Sequence, residues 1–328
     1  MTRGERPSGI AFTLRALRHR NYRLFFSGQL VSLVGTWMTS VATSWLVWRL
    51  THSAFLLGAV GFAGQIPAFL LGPVAGVLVD RWDRRRVLVV TQVLAMAQSL
   101  ALALATLGGW ITVPQVLLLA AFQGLVNAFD MPGRQAFVVE LIEDRGDLPN
   151  AIALNSSMFN AARLLGPSLG GLLVAAAGEG WCFALDAVSY LPVIGSLLLM
   201  RVGPRVGVAP AGSPRPAPAG VLAELTAGWR YVAGSPAIRA ILALLATVSL
   251  LGVPYAVLMP VFTAAVLHGG PHTLGFLMAA TGLGALLGAL FLASRRSVLG
   301  LGALMPKMAA LFGAGLIVFS LSRTLWLS

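Results

Sequence analysis

A bundle of membrane-crossing α-helices is the fold this sequence predicts, and three observations predict it. Hydrophobic residues make up 57% of the chain and charged residues only 10%, where soluble domains carry about 25% charge. The apolar residues fall into long runs, each near the roughly 20 residues that a helix needs to cross a bilayer. The segments between those runs alternate between arginine-rich and arginine-poor. A soluble chain of 328 residues has too little polar surface to shield this much apolar side chain, so the solvent is lipid and the bilayer is the first partner.

Taken in order, the runs predict spans at about 24–48, 54–79, 87–107, 113–133, 151–177, 181–200, 237–264, 273–294 and 303–322. Orientation follows from the basic residues, which concentrate in cytoplasmic loops. Arg15, Arg18, Arg20 and Arg23 precede the first span, and Arg81, Arg84, Arg85 and Arg86 follow the second. Arg134 and Arg145, then Arg201 to Arg239, then Arg295, Arg296 and Lys307 continue on the same side, while the opposite side has Arg49 and Arg323. The N-terminus is therefore expected in the cytoplasm. No short apolar segment with a cleavage site follows the basic N-terminal residues, so the first helix is expected to act as the targeting signal.

Between the sixth and seventh spans, Gly203–Gly220 holds five prolines and no acidic residue, the composition of a linker rather than a helix. Val221–Val232 then reads as a short amphipathic helix on the cytoplasmic surface. The chain divides accordingly into a six-helix half (1–200), a cytoplasmic linker (201–236) and a partial second half (237–328). A faint repeat supports that division: Gly72, Gly76 and Arg84 match Gly284, Gly288 and Arg296 at one constant offset. Glycines four apart let neighbouring helices approach closely.

Several chemistries are excluded. The excess of 23 Lys+Arg over 11 Asp+Glu lies in scattered loops rather than on one face, which argues against a nucleic-acid partner. Cys182 is the sole cysteine, so no intrachain disulfide and no cysteine metal cluster forms. Gly166–Gly170 satisfies the Gly-x-Ser-x-Gly pattern of hydrolases, but Ser168 sits in a long apolar helix instead of a strand–turn–helix. Asn155-Ser156-Ser157 fits a glycosylation sequon, yet falls at the cytoplasmic end of a span. His19, His52, His268 and His272 lie in the N-terminal segment or in outer loops. Neither an enzyme, nor a metal site, nor a cofactor is expected.

The motifs that remain belong to membrane machinery. Gly76–Arg86 reads GVLVDRWDRRR at the end of the second span. The positive-inside rule explains its arginines but neither Asp80 nor the glycines before it. Gly166-Pro167-Ser168-Leu169-Gly170-Gly171 interrupts the fifth span; proline bends a helix and the glycines permit close contact. Ionisable residues inside spans are costly and point to function, which singles out Arg163 near mid-membrane and Asp186 in the outer part of the sixth span. Arg163 is a candidate for an anionic substrate, or for pairing with Asp130 or Asp186. Gln29, Gln65, Gln123, Asn127, Asn155 and Asn160 are further polar candidates, with interhelical hydrogen bonding as their alternative use.

Gly76, Asp80, Arg81, Arg84 and Arg85 resemble the loop signature of the major facilitator superfamily, with Asp83 where the general pattern has glycine. That substitution, Leu17–Gln29, Asn127–Phe137 and Ala151–Gly171 resemble the branch of enterobactin-exporter-like, macrolide and multidrug exporters. The resemblance implies a twelve-helix exporter of the cytoplasmic (inner) membrane, moving a drug, macrolide or siderophore by alternating access, with protons as the coupling ion. It implies a latch between Arg84 and Asp130, and a partner for Asp80 from an eleventh helix. Gly166, Pro167, Gly170 and Gly171 resemble the antiporter motif, with Ala153 and Ala162 where the wider pattern has glycine. The fourth-helix arginine of many proton–drug antiporters is replaced by Ala120 ahead of Gln123-Gly124, so coupling would fall to Asp130 and Arg163. Nine of twelve helices are read here, so a truncated, non-transporting membrane protein is the alternative, and residues 1–328 alone are expected not to support efflux.

Overall fold

The computed structural model describes residues 14–142, 144–200, 229–294 and 300–328. Among them there is no strand, and nine helical stretches are long and apolar enough to cross a membrane. The helices are α1 (Arg20–Thr51), α2 (Ala54–Arg81), α3 (Arg84–Leu107), α4 (Val113–Glu140), α5 (Leu148–Ala177), α6 (Glu179–Leu199), α7 (Pro236–Thr247), α8 (Tyr255–Ala265), α9 (Pro271–Ser294) and α10 (Leu301–Leu321). A π-helical turn, Val248–Gly252, links α7 to α8, and the three together make one stretch of spanning length.

Most helices run past the apolar segment that announces them. Helix α4 continues to Glu140, two turns beyond Gly133, because Pro132 costs the helix one hydrogen bond and the arginine after it finds a partner one turn back. The linker Gly203–Gly220 lies outside the described residues, as does most of the amphipathic helix expected after it; residues 229–234 are helical.

The connections are short because their ends are capped. His52 takes a left-handed conformation (φ 48°) to close α1, and the Ser53 hydroxyl accepts from the Leu56 N–H to open α2. Asp83 accepts from the Arg86 N–H at 2.8 Å and so N-caps α3. A carboxylate at that position satisfies an orphan donor and suits the positive end of the helix dipole. This is a physical reason for the departure from glycine in the loop signature.

Contacts divide the described chain into two compact units. The first holds α1 to α6 with residues 257–294, so it extends beyond the six-helix half expected from the linker. Within it, α2 packs on α4, α6 on both α1 and α3, and α5 on both α1 and α9. One apolar cluster near the α2–α3 turn joins Tyr22, Phe25, Leu88, Phe137 and Leu197; another at the opposite end joins Leu46, Leu57, Leu102, Val116 and Phe183. In the second unit the Phe312 ring of α10 lies against Gly252 and edge-on to Tyr255, 6.0 Å between centroids.

Glycine sets the closest approaches. A Cβ on Gly124 of α4 would strike the Gly64 carbonyl of α2 and come within 3.1 Å of Pro67. Gly28 of α1 lies under the Pro192 carbonyl of α6. The glycines of the internal repeat behave otherwise: Gly72, Gly76, Gly284 and Gly288 have no neighbour within 4 Å of a built Cβ among the described residues. The close packing expected of them is not present here.

Candidate functional site

The first unit carries three polar constellations between its helices. At the α2–α3 turn, Arg84 reaches two carboxylates, Asp80 at 2.9 Å one turn back and Glu140 at 2.5 Å at the end of α4. Arg85 donates to the Leu197 and Leu198 carbonyls, at 2.6 and 2.8 Å, and so caps the C-terminus of α6. Arg81 is exposed. The loop signature thus fastens α2, α3, α4 and α6 at one end.

Asp130 is not the partner of Arg84 in this structure. It is buried within the bundle, ion-paired with Arg134 one turn along α4, and it accepts from Thr91 at 2.9 Å and Gln92 at 2.8 Å on α3. The interhelical ion pair of Arg84 is with Glu140, where the sequence reading expected Asp130. Glu140 escaped the sequence reading because it follows the last apolar residue of its span, where an acidic side chain looks like ordinary solvated surface. Asp130 borders a small cavity of about 50 Å³ between α1, α3, α4 and α6, lined also by Gln29, Gln92, Gln123, Asn127 and Tyr190.

Asp186 is almost wholly enclosed, where α6 meets α1 and α3. Its Oδ2 accepts from Ser99 at 2.6 Å. Its Oδ1 makes no hydrogen bond of good geometry, although the Thr39 and Ser189 hydroxyls stand beside it.

The antiporter-like run of α5 serves two faces. Gly166 and Gly170 lie on the α1 backbone at Trp37 and Met38, while Gly171 meets Gly275 of α9, whose own Cβ would stand 2.5 Å from the Pro167 carbonyl. Farther down α5, the Arg163 guanidinium stands 5.6 Å above the Trp37 ring, which meets Phe159 edge-on at 5.8 Å. Among the described residues no carboxylate pairs with it, so neither Asp130 nor Asp186 is its partner. Asn155 is half-buried, and Asn160 donates to its own helix at the Ser156 carbonyl. Gln29 is buried at the cavity.

Two ion clusters lie outside the expected set. Arg49 and Glu179 pair bidentately at the end of the bundle opposite Arg84. Ahead of α5, Asp147 pairs with Arg15, Arg18 and His19. The His19 ring hydrogen-bonded to it, with Arg18 and Arg15 close by, holds its carboxyl below the usual carboxylate range against the opposing effect of burial. No group of three or more His, Cys, Asp or Glu able to hold a metal exists among the described residues.

A family model described as transmembrane secretion effector matches residues 11–328. The chain belongs to that family, within the major facilitator superfamily. It is 26% identical over 296 residues to the staphyloferrin A transporter of Staphylococcus aureus, covering 90% of this chain and 72% of that protein. It is 29% identical over 284 residues to a multidrug efflux pump of Mycolicibacterium fortuitum, covering 81% and 65%. It is likewise 29% identical over 274 residues to the enterobactin exporter of Shigella boydii, covering 83% and 63%. This member of the family therefore spans about two thirds of the length of its curated relatives. A bacterial homologue of the human lysosomal transporter Spinster superposes with a TM-score of 0.64 at 15% identity, over 87% of this chain and 63% of that one. The fold is that of the superfamily, and the relatives are transporters rather than enzymes.

Proposed function

We propose that this family member belongs to a proton-coupled exporter of a small molecule of the drug, macrolide or siderophore class, working by alternating access in the cytoplasmic membrane with its N-terminus inside. Arg163 is the observation that carries the substrate reading. A charged side chain at the centre of a spanning helix costs about 2.5–3.5 kcal/mol on insertion scales. Stacking on an aromatic ring returns about 0.5–2 kcal/mol. The Trp37 contact offsets only part of that cost, so a guanidinium kept there without a carboxylate suits a transient anionic partner, with Trp37 and Phe159 as an apolar platform beside it. The relatives named for transport of staphyloferrin A and export of enterobactin support the siderophore class. Arg84, with Asp80 and Glu140, supplies a gate whose charges separate when α2 and α4 part.

The test is export from a host deleted for its own exporters. Residues 1–328 are expressed alone, and also joined to the part of the staphyloferrin A transporter beyond the match. Protonophore-sensitive extrusion that weakens at least tenfold in Arg163→Gln supports the reading. Absence of extrusion from both forms, at matched membrane levels, overturns it.

A further inference from the structure

The interior of the first unit holds a second unpaired charge, and its surroundings differ from those of Arg163. Asp186 is 1% exposed. The groups around it come from three helices. Helix α1 brings Gly35 and Thr39, neither of them ionisable. Arg49, in the last turn of α1, is committed to Glu179. Helix α3 brings Ser99 and, beyond it, Gln98; its arginines lie only at its start. On α6 itself the titratable neighbours are Cys182 and Tyr190. No cation faces the carboxyl from any of these helices among the described residues.

An ionised carboxylate in that position has one oxygen satisfied by Ser99 and one left bare. Two ways out exist, a bound metal cation or a proton. A sodium-sized ion needs several oxygens, and transporters usually supply them from carbonyls of broken helices. The α1 and α3 helices run unbroken here and their carbonyls are engaged within the helix. Side-chain hydroxyls alone are too few. A proton needs one oxygen, and the bare Oδ1 lies over Gly35 beside the hydroxyls of Ser189 and Thr39.

The polar cavity comes within one helical turn of it, at Tyr190. Tyr190, one turn along α6, is an electrostatic neighbour of Asp186 on one side and of the Asp130–Arg134 pair on the other, with the Thr36 hydroxyl alongside. Tyr190 also lines the 50 Å³ cavity that Asp130 and Gln92 border. Gln92 and Gln123 each hold a buried side-chain oxygen without a hydrogen bond, both at this cavity. A water occupies about 30 Å³ in the liquid and binds where two or more polar partners converge, so the cavity suits one or two waters.

We propose that Asp186 is a proton-binding site, reached through the polar cavity between α1, α3, α4 and α6. The proton enters from water on the Asp130 side, passes Tyr190 and binds the bare oxygen, turning the carboxylate into a neutral carboxylic acid. Release reverses the step. Protons and substrate then use separate places in one bundle, Asp186 for the first and Arg163 for the second. The inference rests on the reading of the protein as a proton-coupled exporter, but its test uses no substrate.

Residues 1–328, purified into lipid nanodiscs, are followed by infrared spectroscopy across a pH titration in sodium-free buffer. A protonated carboxyl band is expected to appear as pH falls and to vanish in Asp186→Asn, a change that keeps shape and hydrogen-bonding capacity. The band should persist in Asp130→Asn, and Ser99→Ala should displace its midpoint without removing it, which carries the test should Asp186→Asn fail to fold. A band untouched by both the Asp186 and the Ser99 substitutions overturns the proposal, as does a midpoint that shifts when the titration is repeated with added sodium. Titration intact with export absent faults the exporter reading alone; protonophore-sensitive export with no Asp186 titration faults this inference alone.

Discussion

Arg84 holds two carboxylates at once, and its geometry divides their roles. Asp80 is two-thirds exposed and one turn away on the chain, so water screens that pair and it contributes about 0.3–0.5 kcal/mol at most. Glu140 is three-quarters buried and brings a different helix, so the interhelical bond is the one that counts for holding α4 to the α2–α3 turn. The residue types of this turn were legible in the sequence, and so was their proximity to α4. The identity of the partner was not, because pairing across helices has no periodicity, and Asp130 had a local cation in Arg134. The cluster on Asp147 leaves a pH signature outside the membrane. Its carboxyl is held below the range it has in an unfolded chain, so its stabilisation is present above the unfolded value and fades as pH falls through the folded one. Thermal unfolding in nanodiscs should show this acid-side loss, and Asp147→Asn should remove that part of it while leaving neutral-to-alkaline behaviour of the curve unchanged in shape.

At the scale of elements, the spans were legible from apolar runs, since the lipid interior demands helices of that length. Their ends were not, because polar helical turns such as Gly133–Glu140 are held by tertiary ion pairs. Glycine is the sharper lesson. Sequence spacing marked Gly72 and Gly76 as packing glycines, yet among the described residues nothing stands against them, while Gly124 sits on the Gly64 carbonyl. Spacing reports that glycines share a face without reporting what stands opposite. The two cases predict opposite outcomes. Gly124→Ala should cost about 1–3 kcal/mol by overpacking and lower the melting temperature of the purified protein. Gly76→Ala should leave it unchanged or slightly raised, by up to about 1 kcal/mol, since alanine favours helix. Equal melting shifts for the two would contradict the packing described here.

For the whole molecule, burial is uneven. Half of the most apolar window of α3 and of α6 is buried, against a ninth of that in α2 and none of that in α10. Within the first unit, α3 and α6 carry the buried Gln92, Ser99 and Asp186, while α2 leaves Phe55, Phe62 and Phe69 exposed. Orientation across the membrane is read from loop arginines alone, which makes it open to direct test. A cysteine at Ser213, in the linker outside the described residues, should resist membrane-impermeant thiol reagents in intact cells and react after permeabilisation. Ready labelling from outside would invert the assignment of inside and outside. The two-faced glycine run of α5 has a mechanical consequence as well. Where Gly171 meets Gly275 and Gly275 meets the Pro167 carbonyl, two backbones touch with no interlocking knobs between them. Sliding α9 along α5 there would neither force a side chain through an eclipsed torsion nor prise one from its hole. The surface has the character of a plain bearing: close enough to exclude lipid, smooth enough to turn on.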